Sequence, residues 1–309
     1  MTAEPNTALR PPDSGSEPDA SCAWCGARLV PGAASGTVPC ATCGARTTWP
    51  VPTDEELDRA YGAWYRPERG RFSGLGDRLL RRTRGRTARR LDRIAPDGPI
   101  LDVGAGDGAL LDALSAVGRE AVGLERHSER ADVREEDIAD VQGRWAGIVF
   151  WHSLEHLREP GAAVQRAAGL LEPGGVMVIA MPNPASIQAR VFGDRWLALD
   201  LPRHLVHVPA ATLLARLRAL GLRPSRVSYL RGGQVVFGWL HGIVGTLPSH
   251  PDLYDAIRRP EARREAISPG RRLLTLGAAV LALPLAAACA GVEVLLRRGG
   301  TTYVEARRG

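Results

Sequence analysis

Short apolar runs alternate with helix-like segments from residue 99 onward. Four runs predict buried strands: ILDV at 100–103, AVGLERH at 121–127, AGIVFW at 146–151 and VMVIAMPN at 176–183. Residues 152–175 predict a helix with its turn, and residues 209–222 predict a second helix that ends at Gly221, before the strand PSRVSYL. Strands that alternate with helices indicate a parallel sheet covered on both faces. The pattern therefore predicts an α/β fold.

Four of the five cysteines fall in two C-x2-C pairs near the N-terminus. They are Cys22, Cys25, Cys40 and Cys43, and each pair is followed by glycine. Two such knuckles present four thiolates tetrahedrally to Zn²⁺ and leave no open coordination position. We expect a structural zinc ribbon over residues 21–50, with free or redox-active cysteines as the alternative.

The segments on either side of the ribbon differ in character. Residues 1–20 are polar and rich in proline, which predicts a disordered tail without the apolar stretch of a secretory signal. Residues 51–98 predict a helical linker or lid, in which Thr53 and Glu56 form a capping box at a helix start. The arginine-rich part of this linker is either the solvated face of a packed helix or a contact for phosphate or anionic lipid.

Composition narrows the expected partners. The net charge is +6, and all 40 basic residues are arginine. A chain that uses only arginine reflects a coding bias, so its net charge is weak evidence for nucleic acid. Without an export signal we expect the reducing cytoplasm, where paired cysteines hold metal more often than they form disulfides.

A glycine-rich turn follows the first strand of the α/β region. Gly104, Gly106 and Gly108 let the backbone approach a ligand closely, and the next helix offers its N-terminus. The turn also fits a dinucleotide site, with Glu125 near the position of an acid that binds ribose hydroxyls. Asp102 favours a different cofactor, because a carboxylate there would repel a pyrophosphate but attract an ammonium group.

On these residues the chain resembles the class I S-adenosylmethionine (SAM)-dependent methyltransferases, over roughly residues 99–309. Residues 102–108 match the family's first motif, and residues 172–175 match the turn into its fifth strand. The resemblance implies a Rossmann-like sheet over residues 99–230 and SAM as the cofactor. The residues it assigns to cofactor binding are Asp102, Gly104, Ala105, Gly106, Gly108, Glu125, Asp137, Ile138 and Trp151.

More narrowly, residues 151–160 and 181–209 resemble bacterial small-molecule methyltransferases similar to the ubiquinone-biosynthesis O-methyltransferases. The sequence after the fourth strand lacks the Asn/Asp-Pro-Pro-aromatic stretch of nucleic-acid N-methyltransferases. This difference argues against a base amine as the acceptor.

Methyl transfer to a hydroxyl needs alignment and a base. His152 ends the fourth strand, and the resemblance implies that Glu155 and His156 lie at the active site. A capped helix start is the alternative for this segment, and a metal held by His152 and His156 at i, i+4 with Glu155 is another. His204, with Arg203, is the candidate second base or acceptor ligand.

The run at 273–296 is long enough to cross a bilayer and is flanked by arginine pairs. If residues 300–309 form the family's last antiparallel strand, a single span would put that strand on the wrong side of the membrane. Pro284 divides the run into halves too short to span. We expect residues 231–299 to be a hydrophobic helical insertion, either a hairpin at an anionic membrane surface or a buried or dimer-forming subdomain.

The sequence therefore predicts a cytoplasmic SAM-dependent methyltransferase, peripheral at the inner face of the membrane. The expected acceptor is a hydroxyl of a small or lipid-linked molecule, such as a sugar, a polyketide or a quinone-like compound. One alternative is an enzyme that C-methylates a nucleotide-linked ketosugar. An alternative of another class is a zinc-ribbon protein that binds nucleic acid, although we expect a small-molecule acceptor rather than nucleic acid as the partner. The oligomeric state is left open.

Overall fold

The computed structural model describes residues 20–32, 36–62, 72, 74–230 and 233–309. Apart from Ala20, the predicted disordered tail lies outside these residues. The strands within them are β1 (Gly36–Pro39), β2 (Arg46–Trp49), β3 (Ile100–Val103), β4 (Ala121–Leu124), β5 (Val133–Arg134), β6 (Trp145–Trp151), β7 (Leu171–Pro182), β8 (Val206–His207), β9 (Leu222–Ser228) and β10 (Thr301–Arg308). The helices are α1 (Asp54–Ala60), α2 (Leu75–Ile94), α3 (Ala109–Ser115), α4 (Pro160–Leu170), α5 (Ile187–Phe192), α6 (Ala210–Ala219), α7 (Gln234–Gly245), α8 (Leu253–Ile257) and α9 (Pro269–Leu295).

Seven strands form one sheet in the order β5-β4-β3-β6-β7-β10-β9. The first five run parallel, and β10 is antiparallel to both of its neighbours. Val103 pairs with Leu124 on one side and with Phe150 on the other, so the carboxyl ends of β3, β4 and β6 meet at one edge. This edge is where open α/β sheets bind ligands. The predicted Rossmann-like fold, including its last antiparallel strand, is confirmed.

The two faces of the sheet carry separate apolar clusters. Along β6 the side chains alternate: Ile148 and Phe150 join one cluster, and Val149 joins the other. Ile138 packs in the first cluster, whereas Trp151 packs against the second. The sheet is therefore covered on both sides, as the near-continuous apolar strands predict.

The cysteine segment is packed onto the core. Strands β1 and β2 form a hairpin, and β2 also pairs with β8, where Thr47 lies opposite Val206. Trp24 is buried in the same apolar cluster as the sheet. A Cβ atom added at Gly161 of α4 would lie 2.0 Å from the Trp24 carbonyl oxygen, so α4 approaches the ribbon backbone as closely as glycine allows.

The segment after β6 differs from the prediction. Residues 154–156 form a single 3-10 turn and α4 begins only at Pro160, so the helix is present within residues 152–175 but its predicted start is wrong. His152 has a left-handed backbone with φ of 53°. The residue before a proline is disfavoured in a helical conformation, whereas proline is favoured in the first helical turn. Since His152 and His156 do not share a helix, their i, i+4 spacing does not place them on one helical face.

The apolar run forms one continuous helix rather than a hairpin. Pro284 lies inside α9, which packs along α7 and α8. A proline removes one helix hydrogen bond, and this packing holds the helix together across it. Among the described residues, α9 is the helix long and apolar enough to cross a membrane. An 18-residue stretch of it has a mean hydropathy of 2.2, and 22% of that stretch is buried.

Both ends of α9 are tied to the globular core. Near its C-terminus, Glu293 accepts a 2.8 Å hydrogen bond from the backbone N–H of Gln188. Just before its N-terminus, Arg264 lies 3.3 Å from the carboxylate of Asp200. A helix with both ends on one domain does not carry the chain across a bilayer as a single span.

Candidate cofactor and acceptor site

The predicted glycine-rich turn lies between β3 and α3. Gly104 and Gly106 have φ values of 80° and 63°, which side-chain-bearing residues rarely adopt. A Cβ atom added at Gly104 would lie 2.4 Å from Cβ of Ser153. The Ser153 hydroxyl donates a hydrogen bond to the carbonyl of Val103. The turn is therefore pressed against the segment that follows β6.

The carboxylate of Asp102 lies near the start of this turn, two residues before Gly104. It is buried, with 2% of the residue exposed. Its Oδ1 atom accepts no hydrogen bond from the described residues. Burial raises the pKa of Asp102 to about 7, although the charge of Arg84 opposes the rise. Because an unpaired buried polar atom is costly, this position fits a cationic group such as the ammonium of SAM.

Glu125 follows β4 and reaches the same turn. Its Oε2 accepts a 2.9 Å hydrogen bond from the N–H of Gly106. The N–H groups of Gly104 and Ala105 both donate to the carbonyl of Leu124, each at 2.9 Å. A carboxylate accepts several hydrogen bonds at once, so Glu125 can serve both the turn and a ribose. The structure thus brings Asp102, the glycines and Glu125 together.

The other cofactor candidates are more dispersed. Asp137 is exposed after β5 and accepts a 2.8 Å hydrogen bond from the N–H two residues later. Ile138 is buried near Phe150, on the first face of the sheet. Trp151 lies on the opposite face, where the Arg84 guanidinium carbon is 4.9 Å from its ring centre. The structure does not bring the Ile138 and Trp151 side chains together.

His152 and Glu155 face each other beyond β6. Nδ1 of His152 lies 3.3 Å from Oε1 of Glu155, an ion-pair distance. Nε2 of His152 lies 3.3 Å from the side-chain nitrogen of Gln234, the first residue of α7. Burial alone would raise the pKa of Glu155, but His152, followed by the charges of His204 and His156, holds it at about 2. Glu155 is therefore ionised at neutral pH.

His156 and His204 lie beside each other, with ring centres 4.6 Å apart. Nδ1 of His156 is 2.9 Å from the Arg203 carbonyl oxygen, and Nδ1 of His204 is 2.9 Å from the Ala198 carbonyl oxygen. Since a carbonyl oxygen only accepts, both Nδ1 atoms carry a proton and both Nε2 atoms keep a lone pair in the neutral rings. Burial, followed by the charge of His204, lowers the pKa of His156 to about 4.

Two further residues at this site were not predicted from the sequence. The Tyr61 hydroxyl, one residue after α1, lies 2.9 Å from Nδ1 of His156. Asp200 lies 3.8 Å from Nε2 of His204 and forms an ion pair with Arg203. Burial would raise the pKa of Asp200, but the charges of His204 and Arg203 hold it at about 2. The Arg203 side chain is itself buried, so it supports the loop rather than facing an open pocket.

The four sulfur atoms of the ribbon lie together. Sγ of Cys22 is 3.7 Å from Sγ of Cys43, and Sγ of Cys25 is 3.6 Å from Sγ of Cys40. A tetrahedron with Zn–S bonds of about 2.3 Å has edges of about 3.8 Å. In each pair the following glycine donates a backbone hydrogen bond to the first cysteine, at 2.8 and 2.9 Å. The donor set and its spacing therefore fit Zn²⁺.

Comparison with protein families and curated proteins gives two likenesses. Residues 77–226 match the family described as Methyltransferase domain. The ubiquinone biosynthesis O-methyltransferase of Xanthomonas axonopodis pv. citri (strain 306) is 29% identical over 161 residues, covering 44% of this chain and 67% of that protein. The enzyme of the same name from Xanthomonas campestris pv. campestris (strain B100) is 27% identical over 168 residues, covering 45% of this chain and 70% of that protein.

Solved structures give weaker likenesses. A SAM-dependent methyltransferase from Archaeoglobus fulgidus aligns with a TM-score of 0.42 and 17% identity, over 73% of this chain and 94% of that one. Magnesium protoporphyrin IX methyltransferase from Synechocystis PCC 6803 with bound SAM aligns with a TM-score of 0.36 and 15% identity, over 48% of this chain and 72% of that one. The fold assignment rests on the strand order and the family match, because both scores are below 0.5.

Proposed function

We propose that this protein, whose residues 77–226 match the family described as Methyltransferase domain, transfers a methyl group from SAM to a hydroxyl oxygen of a small-molecule or lipid-linked acceptor. The names of the curated relatives support an oxygen acceptor on a quinone-like molecule, and a sugar or polyketide hydroxyl presents the same chemistry. The observation that carries the proposal is the contact between His152 and Glu155 at the carboxyl edge of the sheet.

The cofactor would be held at the turn between β3 and α3. Asp102 would pair with its ammonium group, and Glu125 would bind its ribose hydroxyls. The other proposed contacts are Gly104, Ala105, Gly106, Gly108, Asp137, Ile138 and Trp151. When bound, SAM supplies a methyl group on a positively charged sulfur and departs as the neutral thioether.

His152 is the proposed general base. The acceptor hydroxyl must lose its proton as the new C–O bond forms. With Nδ1–H directed at Glu155, the neutral ring presents Nε2 to the acceptor, at the position now facing Gln234. The ionised Glu155 then stabilises the imidazolium that results, as a carboxylate does in other histidine–carboxylate pairs. His156 and His204 would line the acceptor side.

We propose two further features of the working protein. The ribbon cysteines bind Zn²⁺ as a structural metal. The insertion attaches the protein to an anionic membrane on its cytoplasmic side, because Leu274 and Leu281 of α9 are 76% and 84% exposed and arginine pairs flank the run. Exposed apolar area with a basic rim is what interfacial attachment requires.

The test combines binding and turnover. S-Adenosylhomocysteine is titrated into the zinc-loaded protein, and transfer from methyl-labelled SAM is measured with quinols, sugars and polyketides that carry hydroxyls. We expect His152→Asn to lower kcat by roughly 100- to 10,000-fold while leaving S-adenosylhomocysteine affinity unchanged. His127→Asn, at an exposed histidine, is the matched control. No S-adenosylhomocysteine binding by folded protein would overturn the proposal, and an unchanged kcat in His152→Asn would remove the base.

A further inference from the structure

The insertion places one polar side chain at the proposed base. Gln234 is the first residue of α7, and its side-chain nitrogen lies 3.3 Å from Nε2 of His152. An amide nitrogen is a donor only, so this contact is a hydrogen bond donated to the ring. Gln234 lies outside residues 77–226, which match the methyltransferase family. A segment beyond the family match therefore contacts the atom that would take the proton of the acceptor.

Packing inside the insertion fixes the position of Gln234. The next residue, Val235, is 1% exposed and belongs to an apolar cluster with Trp239 of α7 and Ala286 of α9. The start of α7 is therefore held by the core of the insertion itself. Gln234 is exposed, so its amide end can rotate while its backbone stays in place.

His152 is held at two other points. Its backbone N–H donates a 2.8 Å hydrogen bond to the carbonyl of Ala180 on β7. Its Nδ1 lies 3.3 Å from Oε1 of Glu155, and 25% of the His152 side chain is exposed. Because Nε2 faces the exposed Gln234, an incoming molecule meets the ring at this atom.

The two neighbours of the ring select the same neutral tautomer. Ionised Glu155 only accepts hydrogen bonds, so Nδ1 of His152 carries the proton. The amide nitrogen of Gln234 only donates, which requires a lone pair on Nε2. This is the form of the ring that can take a proton at Nε2. A carboxylate in place of the amide would have the opposite effect, because it would accept a hydrogen bond from a protonated Nε2.

We propose that Gln234 is a positioning residue for methyl transfer. It keeps Nε2 of His152 unprotonated and covered while the acceptor site is empty, and it gives up this position to the acceptor hydroxyl. The ring is then already in the tautomer that a base needs when the hydroxyl arrives. The insertion thus acts on the reaction through His152.

The exchange distinguishes the acceptor from its product. A molecule that replaces the amide must itself donate a hydrogen bond to Nε2, because an unsatisfied polar atom is costly. The acceptor hydroxyl has a hydrogen to donate, whereas the methylated oxygen has none. Once the ring has passed its proton to solvent, Gln234 takes the position back and the product leaves. This step rests on the proposed function, whereas the tautomer of His152 does not.

The first test observes the ring directly in full-length, zinc-loaded protein. ¹⁵N NMR of histidine-labelled protein reports which ring nitrogen carries a proton, and the His152→Asn variant identifies the signals of His152. We expect an unprotonated Nε2 in the wild type and in Gln234→Leu. In Gln234→Glu we expect a protonated Nε2 in the same mildly alkaline buffer. Because Gln234 is exposed, neither substitution removes a buried contact.

The second test measures access to Nε2 with diethyl pyrocarbonate. The reagent acylates an unprotonated ring nitrogen and releases ethanol and carbon dioxide, and peptide mass spectrometry gives the rate at His152. Gln234→Leu should react roughly 2- to 12-fold faster than the wild type, which corresponds to the loss of one hydrogen bond. Gln234→Glu should react more slowly, and its kcat should fall by about 100-fold or more, as expected when a general base is lost.

The controls and outcomes separate this inference from the proposed function. Gln142→Leu and Gln142→Glu, at an exposed glutamine after β5, should match the wild type in both tests. Equal reagent rates in Gln234→Leu and the wild type, or an unprotonated Nε2 in Gln234→Glu, overturn the role of Gln234 and leave the proposed function standing. A wild-type ring with its proton on Nε2 instead of Nδ1 also overturns it. Loss of S-adenosylhomocysteine binding in folded protein sinks the proposed function, whatever the state of Nε2.

Discussion

The Thr48 hydroxyl donates a 2.6 Å hydrogen bond to the backbone carbonyl of His204. Thr48 lies on β2 of the ribbon and is 1% exposed. Its own N–H donates to the carbonyl of Leu205 at 2.9 Å. The peptide that carries His204 is therefore held by the ribbon as well as by the methyltransferase core. We infer that the ribbon positions His204 through this contact, without contributing a side chain to the site itself.

Thr48→Val tests that role. The change leaves the buried His204 carbonyl without this donor, which costs about 1–3 kcal/mol. We expect kcat to fall about tenfold, because His204 loses its position, while S-adenosylhomocysteine affinity stays within twofold, because Asp102 and Glu125 lie on other strands. Thr37→Val in the same ribbon is the control, since the Thr37 hydroxyl serves a surface contact with Arg46. Equal losses of kcat in both variants would refute the specific role of Thr48.

The raised pKa of Asp102 predicts a pH-dependent cofactor affinity. The protonated acid has no charge to pair with an ammonium group, so binding needs the carboxylate. With a pKa of about 7, the carboxylate fraction falls as the pH drops from 8 to 6. We therefore expect S-adenosylhomocysteine affinity to be about tenfold lower at pH 6 than at pH 8. Calorimetric titration across this range measures it.

Two variants isolate the group responsible. Asp102→Asn should bind weakly at pH 8 and lose the pH dependence. Asp97→Asn, at an exposed acid before β3, should keep the wild-type profile. A flat wild-type profile, or a slope that survives in Asp102→Asn, would show that another group controls the affinity.

The cofactor turn was predictable because its information is local. Asp102, the glycines and Glu125 occupy consecutive elements, and the parallel pairing of β3 with β4 brings them to one edge. The acceptor side depends on contacts between distant parts of the chain. Tyr61 reaches His156 from α1, and nothing near Tyr61 in the sequence indicates this contact.

The two incorrect predictions have different origins. Helical periodicity suggested a helix through His156, but the left-handed backbone at His152 and the start of α4 at Pro160 restrict residues 154–156 to one turn. Pro284 suggested a hairpin, but packing of α9 against α7 and α8 overrides that local preference. A local signal, Pro160, decided the first segment, whereas tertiary packing, which the sequence does not display, decided the second.

Glu293 is the buried anchor of α9. It is fully buried, and its carboxylate accepts hydrogen bonds from the backbone and side chain of Gln188, both at 2.8 Å, and from Nε1 of Trp239 at 2.9 Å. Glu293→Ala leaves three buried donors unsatisfied, and each costs about 1–3 kcal/mol. We expect the free energy of unfolding to fall by more than about 3 kcal/mol in urea titrations.

Two comparisons make the Glu293 measurement specific. Glu293→Gln keeps one acceptor oxygen, so its loss should be smaller. Glu265→Ala, at an exposed acid before α9, should change the free energy of unfolding by no more than about 0.5 kcal/mol. A Glu293→Ala protein as stable as Glu265→Ala would mean that the buried contacts do not hold the insertion.

Membrane attachment is tested on the exposed stripe of α9. Leu274 and Leu281 lie seven residues apart on one face, and burying each leucine in an apolar phase contributes about 1.5–3 kcal/mol. The double variant Leu274→Glu, Leu281→Glu should bind anionic vesicles at least about tenfold more weakly in sedimentation assays. Val30→Glu with Val51→Glu adds the same charge at exposed apolar residues elsewhere and should bind as the wild type does. A different result would assign this stripe to self-association: the wild-type protein does not bind anionic vesicles but forms a dimer, and the α9 variant is monomeric.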